Sequence, residues 1–223
     1  MGTLFNAGFS VNSFKKGLLL SVPIVLGYIP VAVAFGVSAV SVGLSRFETF
    51  LSSLLVYAGA SQFAMISLIG VSHISAVIIP VLLNLRHLIY GSIISHRYDV
   101  RMPFVTAFGL TDEVFAVSSS ILESESFLWG LELGAYLSWL FGTSIGIFGG
   151  EFLMSSFSLS DSLSFSLTVL FFILLLPAFR DGRKLSIVGG GLVALLFHYI
   201  GYTFLGILTA GLVIPLLTVK YRR

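Results

Sequence analysis

From Gly17 to Gly43 the chain carries no charged residue. No other feature constrains its folding as much, because a helix needs about 20 mostly apolar residues to cross the hydrocarbon of a bilayer. Such runs return along the whole chain. We place apolar segments at 17–43, 48–71, 73–95, 103–122, 127–150, 162–179, 185–200 and 202–219. Composition agrees: 57% of the 223 residues are hydrophobic and only 10% charged, where a soluble domain carries roughly 25% charged residues. A soluble protein of this size leaves too much surface in water to hide that much apolar area.

The expected fold is therefore all-α: a polytopic membrane protein of seven or eight apolar segments, some of them broken or re-entrant helices. The runs are continuously apolar rather than alternating, which argues against a β-barrel. We read residues 1–223 as a single membrane domain. Segments starting near 18, 48 and 74 have counterparts near 127, 162 and 186, a weak sign of a repeat relating about 17–95 to 127–200. The last two segments are short, and fit a tight helical hairpin, two half-helices, or one span with a re-entrant piece. Lys15 and Lys16 precede the first run in the manner of a signal peptide, but no small-residue cleavage pattern follows, so the run reads as a retained span.

Orientation follows the bias of Lys and Arg toward cytoplasmic loops. With eight crossings and both termini in the cytoplasm, the inner side holds Lys15, Lys16, Arg180, Arg183, Lys184, Lys220, Arg222 and Arg223. The outer side then holds Arg46, Arg97 and Arg101. The loop His96–Arg101 fits this poorly, since two arginines would face outward; an early segment that does not cross would relieve the conflict.

Ionisable groups deep in a span are costly and mark candidate sites. The third span contains Asn84-Leu85-Arg86-His87. Arg86 is too deep to reach the interface easily, so it either binds a substrate carboxylate bidentately or locks two helices through an ion pair. The fourth span contains Thr111-Asp112-Glu113. Two adjacent acids at mid-depth cannot both hold charge without a large cost, so one of them is a candidate proton carrier or an anchor for an ammonium group. The second span contains Gly59, Ser61 and Gln62, where Gly59 permits either close helix packing or a break that exposes backbone amides to an anion. Pro23, Gly27 and Pro30 are candidate helix breaks in the first span. Glu132, near the start of the fifth span, is expected at the interface.

Zinc-hydrolase and nucleotide-binding signatures are absent. There is no H-E-x-x-H and no P-loop, and neither a catalytic residue nor a bound nucleotide is expected. With no cysteine and no histidines at ligand spacing, no metal or organic cofactor is expected either. No basic stripe suggests nucleic acid.

Three ordered motifs carry a resemblance: Ala58-Gly59-Ala60-Ser61-Gln62-Phe63-Ala64, Asn84-Leu85-Arg86-His87-Leu88-Ile89-Tyr90-Gly91 and Leu110-Thr111-Asp112-Glu113-Val114-Phe115-Ala116. With Pro23, Gly27, Pro30 and Phe35-Gly36 in order before them, residues 17–120 resemble the AzlC-type family, the large permease subunit of two-component branched-chain amino-acid exporters. The second half is similar mainly in length and hydropathy. The resemblance implies an inner or plasma membrane permease, an amino-acid substrate, ion-driven export and a small hydrophobic AzlD-type membrane subunit as partner. On that reading Gly59, Ser61, Gln62, Asn84, Arg86, Asp112 and Glu113 bind substrate, and Asp112 or Glu113 carries the proton. The alternatives are a non-transporting membrane scaffold whose polar motifs glue helices together, or an exporter of another small metabolite.

Overall fold

A computed structural model describes residues 9–121, 123–154, 184–202, 205–206, 209–210 and 213–214, and the described elements are helical. Contacts gather the chain into two compact units, 1–167 and 168–223. In the first, α1 (Val11–Leu20) and α2 (Val22–Ser41) lie along α9 (Glu125–Met154), which runs 30 residues without a break. All three point the same way. Phe14 meets Gly130, Ser21 meets Gly134, Ile29 meets Gly142, and Val33 meets Gly146.

Small residues explain this packing. On α9, Gly130, Gly134, Ser138, Gly142 and Gly146 recur every four residues and form one stripe. A methyl group added at Gly130 or Gly146 would overlap the carbonyl oxygen of Phe14 or Val33, so the backbones themselves are in contact. In lipid, where apolar burial drives little association, such close approach supplies the packing attraction. Phe35, Phe127, Leu128 and Leu131 are fully enclosed beside it.

The first run breaks at Ser21, just before Pro23, which occupies the first turn of α2 where its missing N–H is not needed. Gly27 and Pro30 lie inside continuous helix, contrary to the expectation that they break it. Close packing of α2 on α9 holds the chain helical through Pro30, as neighbouring helices commonly do within membranes.

The second run is two helices, α3 (Arg46–Leu55) and α4 (Gly59–Leu68), and they double back. Ser45 and Glu48 close a capping box at the start of α3. The Arg46 guanidinium lies 6.0 Å from the Phe148 ring, near the far end of α9. Ser53 then bonds Thr143 at 2.9 Å, and Tyr136 donates to the Leu54 carbonyl at 2.9 Å, so α3 descends to the middle of α9. Tyr57, with φ of 42°, turns the chain. Gln62 comes back level with Ser52 and Ser53, at 3.1 Å from each, and Phe63 packs on Phe35.

The fourth run does the same from the opposite end. The start of α7 (Pro103–Gly109) is tied to the start of α9, where Glu125 accepts from the Arg101 and Met102 amides at 3.0 and 3.1 Å. Gly109 reaches Glu132. The chain turns at Leu110–Thr111, and α8 (Asp112–Ser120) returns until Ser118 and Ile121 accept from the Tyr98 hydroxyl at 3.0 and 2.7 Å. Two helical hairpins thus enter from opposite ends and meet halfway along α9, where the Tyr57 and Phe108 rings are 5.9 Å apart.

Between them, α5 (His73–Asn84) and α6 (Arg86–Arg97) form one line interrupted at Leu85, running opposite to α9. Three stretches among the described residues are long and apolar enough to cross a membrane: Val22–Ser41, His73–Arg97 and Glu125–Gly150. The outer position expected for the His96–Arg101 loop, across the membrane from residue 15, is corrected here. Ser10 donates to Ser126 at 3.0 Å and Lys16 pairs with Glu123, so the N-terminal residues and residues 98–102 share one end of α9. The reason is that α3–α4 returns to the end it came from, and so does not cross.

In the second unit, α10 (Lys184–Tyr199) ends in a Schellman turn: Tyr202 donates to the Phe197 carbonyl at 2.8 Å and Gly201, with φ of 85°, to that of His198 at 3.1 Å. Among the described residues beyond it, Gly206 lies against Phe197 and Ala210 near Gly190, so these residues fold back along α10. The segment 162–179, and with it Arg180 and Arg183, lies outside the described residues, as do Lys220, Arg222 and Arg223.

Candidate functional site

Each polar motif sits where a helix restarts. Gly59 begins α4, Arg86 begins α6, and Asp112 begins α8. Only α8 of the three has a side-chain cap, Thr111 accepting from the Val114 amide at 3.4 Å. Helix starts carry partial positive charge, which favours Asp112 at its position and opposes Arg86 at its own. The two answer each other. Arg86 Nη2 lies 3.0 Å from Asp112 Oδ2, and both side chains are partly exposed. Tyr90 donates to Asp112 Oδ1 at 2.7 Å, and its ring stacks on Phe115 at 4.4 Å. Arg86 Nε is buried with no hydrogen-bond partner.

Glu113 faces away from this pair. It accepts from the Tyr28 hydroxyl of α2, which also lies 2.7 Å from Thr111 Oγ1, and the carboxyl is buried. The adjacent acids therefore have different surroundings, one ion-paired and accessible, the other enclosed. Ser61 donates to Asn84 Oδ1 at 2.6 Å and approaches the Pro80 carbonyl at 3.2 Å, joining α4 to α5.

Gln62 belongs to a closed network. It donates to Ser52 and Ser53, and Trp139 Nε1 donates to its carbonyl oxygen at 3.0 Å. A Cβ on Gly59 would come within 2.7 Å of the Trp139 ring, so a close approach requires glycine there. The Trp139 ring lies edge-on to Tyr28 at 5.4 Å, which links Gln62 to Glu113 through two aromatic rings. The structure thus brings Ser61 to Asn84, Arg86 to Asp112, and Gln62 toward Glu113, around the point where the hairpin tips meet.

Tyr28, Tyr90 and Trp139 were not expected from the sequence. The available signal was an aromatic residue with a polar tip inside an apolar run, a type that finds a partner when buried. Glu132 was expected at the interface. Within the protein it is buried, 5% exposed, with Oε1 unpartnered, against Gly109. It lines a cavity of about 310 Å³ with Phe14, Val105, Phe108, Gly109, Trp129, Leu133 and Tyr136. At the end of α6, burial and the Glu123 carboxylate push the Tyr98 phenol up to about 12.

Broken and doubled-back helices around a mid-depth ion pair define a polytopic helical membrane protein. Comparison with known proteins gives its family. Residues 23–153 match the AzlC protein family, and the chain belongs to it. Residues 158–223 match the MJ1155 family. An uncharacterized membrane protein of Archaeoglobus fulgidus is 50% identical over 205 residues, covering 92% of this chain and 94% of that one. The inner membrane protein YgaZ of Escherichia coli is 35% identical over 222 residues, covering 92% and 89%. The branched-chain amino acid transport protein AzlC of Bacillus subtilis is 23% identical over 211 residues, covering 91% and 77%. No solved structure matches.

Proposed function

We propose that the protein is the large subunit of a secondary exporter for branched-chain and other apolar amino acids, acting in the cytoplasmic membrane with a small AzlD-type subunit. The observation that carries this is the Arg86–Asp112 pair, partly exposed and set at two helix starts where opposed hairpins meet. An amino acid is a zwitterion, and a separable ion pair offers each end a partner. The substrate carboxylate replaces Asp112 on Arg86, which presents a fork of donors suited to it. The freed Asp112 takes the ammonium group, or a proton once the substrate leaves, and so couples the cycle to the ion gradient. Ser61, Asn84 and the amides starting at Gly59 lie beside this route; Gln62 and Glu113 hold its walls. Further support is the name of the Bacillus subtilis relative. The cytoplasm takes the chain end bearing Lys15, Lys16, Arg97 and Arg101, by the positive-inside rule.

The test is efflux of labelled leucine from cells loaded with a leucine dipeptide, expressing both chains. Arg86→Ala and Asp112→Asn are expected to abolish efflux even when it is normalised to the folded protein present in the membrane. Normal efflux by both variants would remove the pair from the mechanism. The ion pair also favours a second reading, a scaffold in which it clamps α6 to α8. On that reading the same variants lose abundance or partner binding, with no separate transport defect.

A further inference from the structure

The export cycle above puts both ammonium and proton on Asp112 and gives the buried acid beside it no charge to carry. The hydrogen bonds around Glu113 suit a group that gains and loses a proton in place. The Tyr28 hydroxyl of α2 donates to its Oε2 and lies 2.7 Å from Thr111 Oγ1, at the start of α8. Tyrosine and threonine hydroxyls each donate one hydrogen bond and also accept. The three oxygens therefore satisfy either form of the carboxyl. With Glu113 ionised, Tyr28 donates to it and accepts from Thr111. With Glu113 protonated, the carboxyl donates to Tyr28, and Tyr28 donates to Thr111. Neither form strands a buried donor, so no helix has to move. Asp112 is held differently. Arg86 Nη2 at 3.0 Å and the Tyr90 hydroxyl at 2.7 Å both donate to its carboxylate. The titratable groups that act on Glu113 are Asp112, Tyr28, Tyr57 at the α3–α4 tip and Tyr90 of α6. From α9, Trp139 stands edge-on to Tyr28, and Glu132 acts on Tyr57. None of these groups is a cation, and the Arg86 guanidinium is turned to Asp112.

We propose that Glu113 carries the coupling proton and Asp112 only the ammonium group, so that a proton is exchanged for each amino acid exported. This rests on the export reading. Adjacent acids each disfavour charge on the other. The substrate brings its ammonium group to the acids' side of Arg86 and its carboxylate to the other side. Its binding therefore favours release of the Glu113 proton. By linkage, a proton on Glu113 loosens the substrate by the same factor. A proton arriving from outside bonds to a Glu113 oxygen, and the amino acid leaves. That O–H bond then breaks, its proton passes to the cytoplasm, and the next amino acid binds there.

The full-length protein in lipid nanodiscs is taken through a pH titration while the infrared band of protonated carboxyl groups is followed. A titrating band is expected in the parent and in Asp112→Asn, and its loss in Glu113→Gln. Leucine added to the parent in weak buffer is expected to release protons, and none from Glu113→Gln. Over the range where leucine stays a zwitterion, its affinity for the parent is expected to rise with pH. In Glu113→Gln it is expected to be flat and at least about fivefold weaker than the parent's upper value, the low end of coupling between two sites. Tyr28→Phe keeps the carboxyl and removes its hydroxyl partner, which serves if Glu113→Gln fails to fold. It is expected to move the pH profile of the band and of leucine efflux together; a merely structural tyrosine would leave both profiles in place, and that result overturns the proposal. No titrating band in the parent, or one that survives unchanged in Glu113→Gln, also overturns it and leaves the export reading standing. A band that disappears only in Asp112→Asn returns the proton to Asp112. If the band depends on Glu113 but the parent neither binds nor exports leucine, the export reading fails and Glu113 stands as the protonating acid.

Discussion

At the scale of residues, the Arg86–Asp112 contact joins two groups that each become a liability alone. Removing one partner strands the other charge in a poorly hydrated place, a loss of about 3–5 kcal/mol for a buried pair and less for one partly exposed. Asp112→Asn alone is therefore expected to lower the folded fraction in membranes. The double variant Arg86→Gln with Asp112→Asn is expected to recover abundance but not efflux, which quantitative immunoblotting beside transport would show. The Tyr98 phenol supplies a pH-dependent case. Its folded value of about 12 stands above its ordinary 10, so the neutral form is preferred in the fold. Its contribution is whole below pH 10 and fades as pH rises toward 12. The difference in melting temperature between the parent protein and Tyr98→Phe is expected to stay level up to about pH 10 and then narrow.

At the scale of elements, the glycine stripe of α9 sets the geometry. Gly130→Leu or Gly146→Leu is expected to separate backbones now in contact and cost at least about 1–3 kcal/mol, the usual penalty of overpacking. Gly150→Ala, whose added methyl meets only Val37 at an ordinary 4.0 Å, is expected to be tolerated. Thermal unfolding in detergent compares them. That stripe is legible in the sequence as glycine at 130, 134, 142 and 146, yet the apolar run around it hides the pattern when only hydropathy is scored. The three polar motifs were legible because each stands out against that same background. Their helix restarts were less so: Gly59 hinted at one, whereas Pro30, the stronger conventional signal, interrupts nothing. The distance of Glu132 from the segment's start speaks only to its depth; its burial comes from α7 packing over it, which no pattern within the segment shows.

At the scale of the whole molecule, hydropathy does not distinguish a crossing from a hairpin. Helices α3 and α4, 10 residues each, read together as one run of crossing length. Contacts at the ends of α9 resolve it, and they move Arg97 and Arg101 to the side of Lys15 and Lys16. The charge bias then agrees with itself. The chain has no cysteine, so single ones report topology directly. Asn12→Cys and Asp99→Cys are expected to react with an impermeant maleimide from the same face, and Leu44→Cys from the other. The doubled-back helices also bear on how the chain is made. Helix α7, 7 residues long, rises about 10 Å, a third of the hydrocarbon thickness. A translocon that sorts stretches of about 20 apolar residues would first thread α3–α4 straight through. Only when α9 leaves the ribosome, its first residue 57 positions after the end of α4 at Leu68, does the surface that seats both hairpins begin to exist. On that route biogenesis would include a late withdrawal of a segment already inserted, a step at which assembly would stall before any substrate is met.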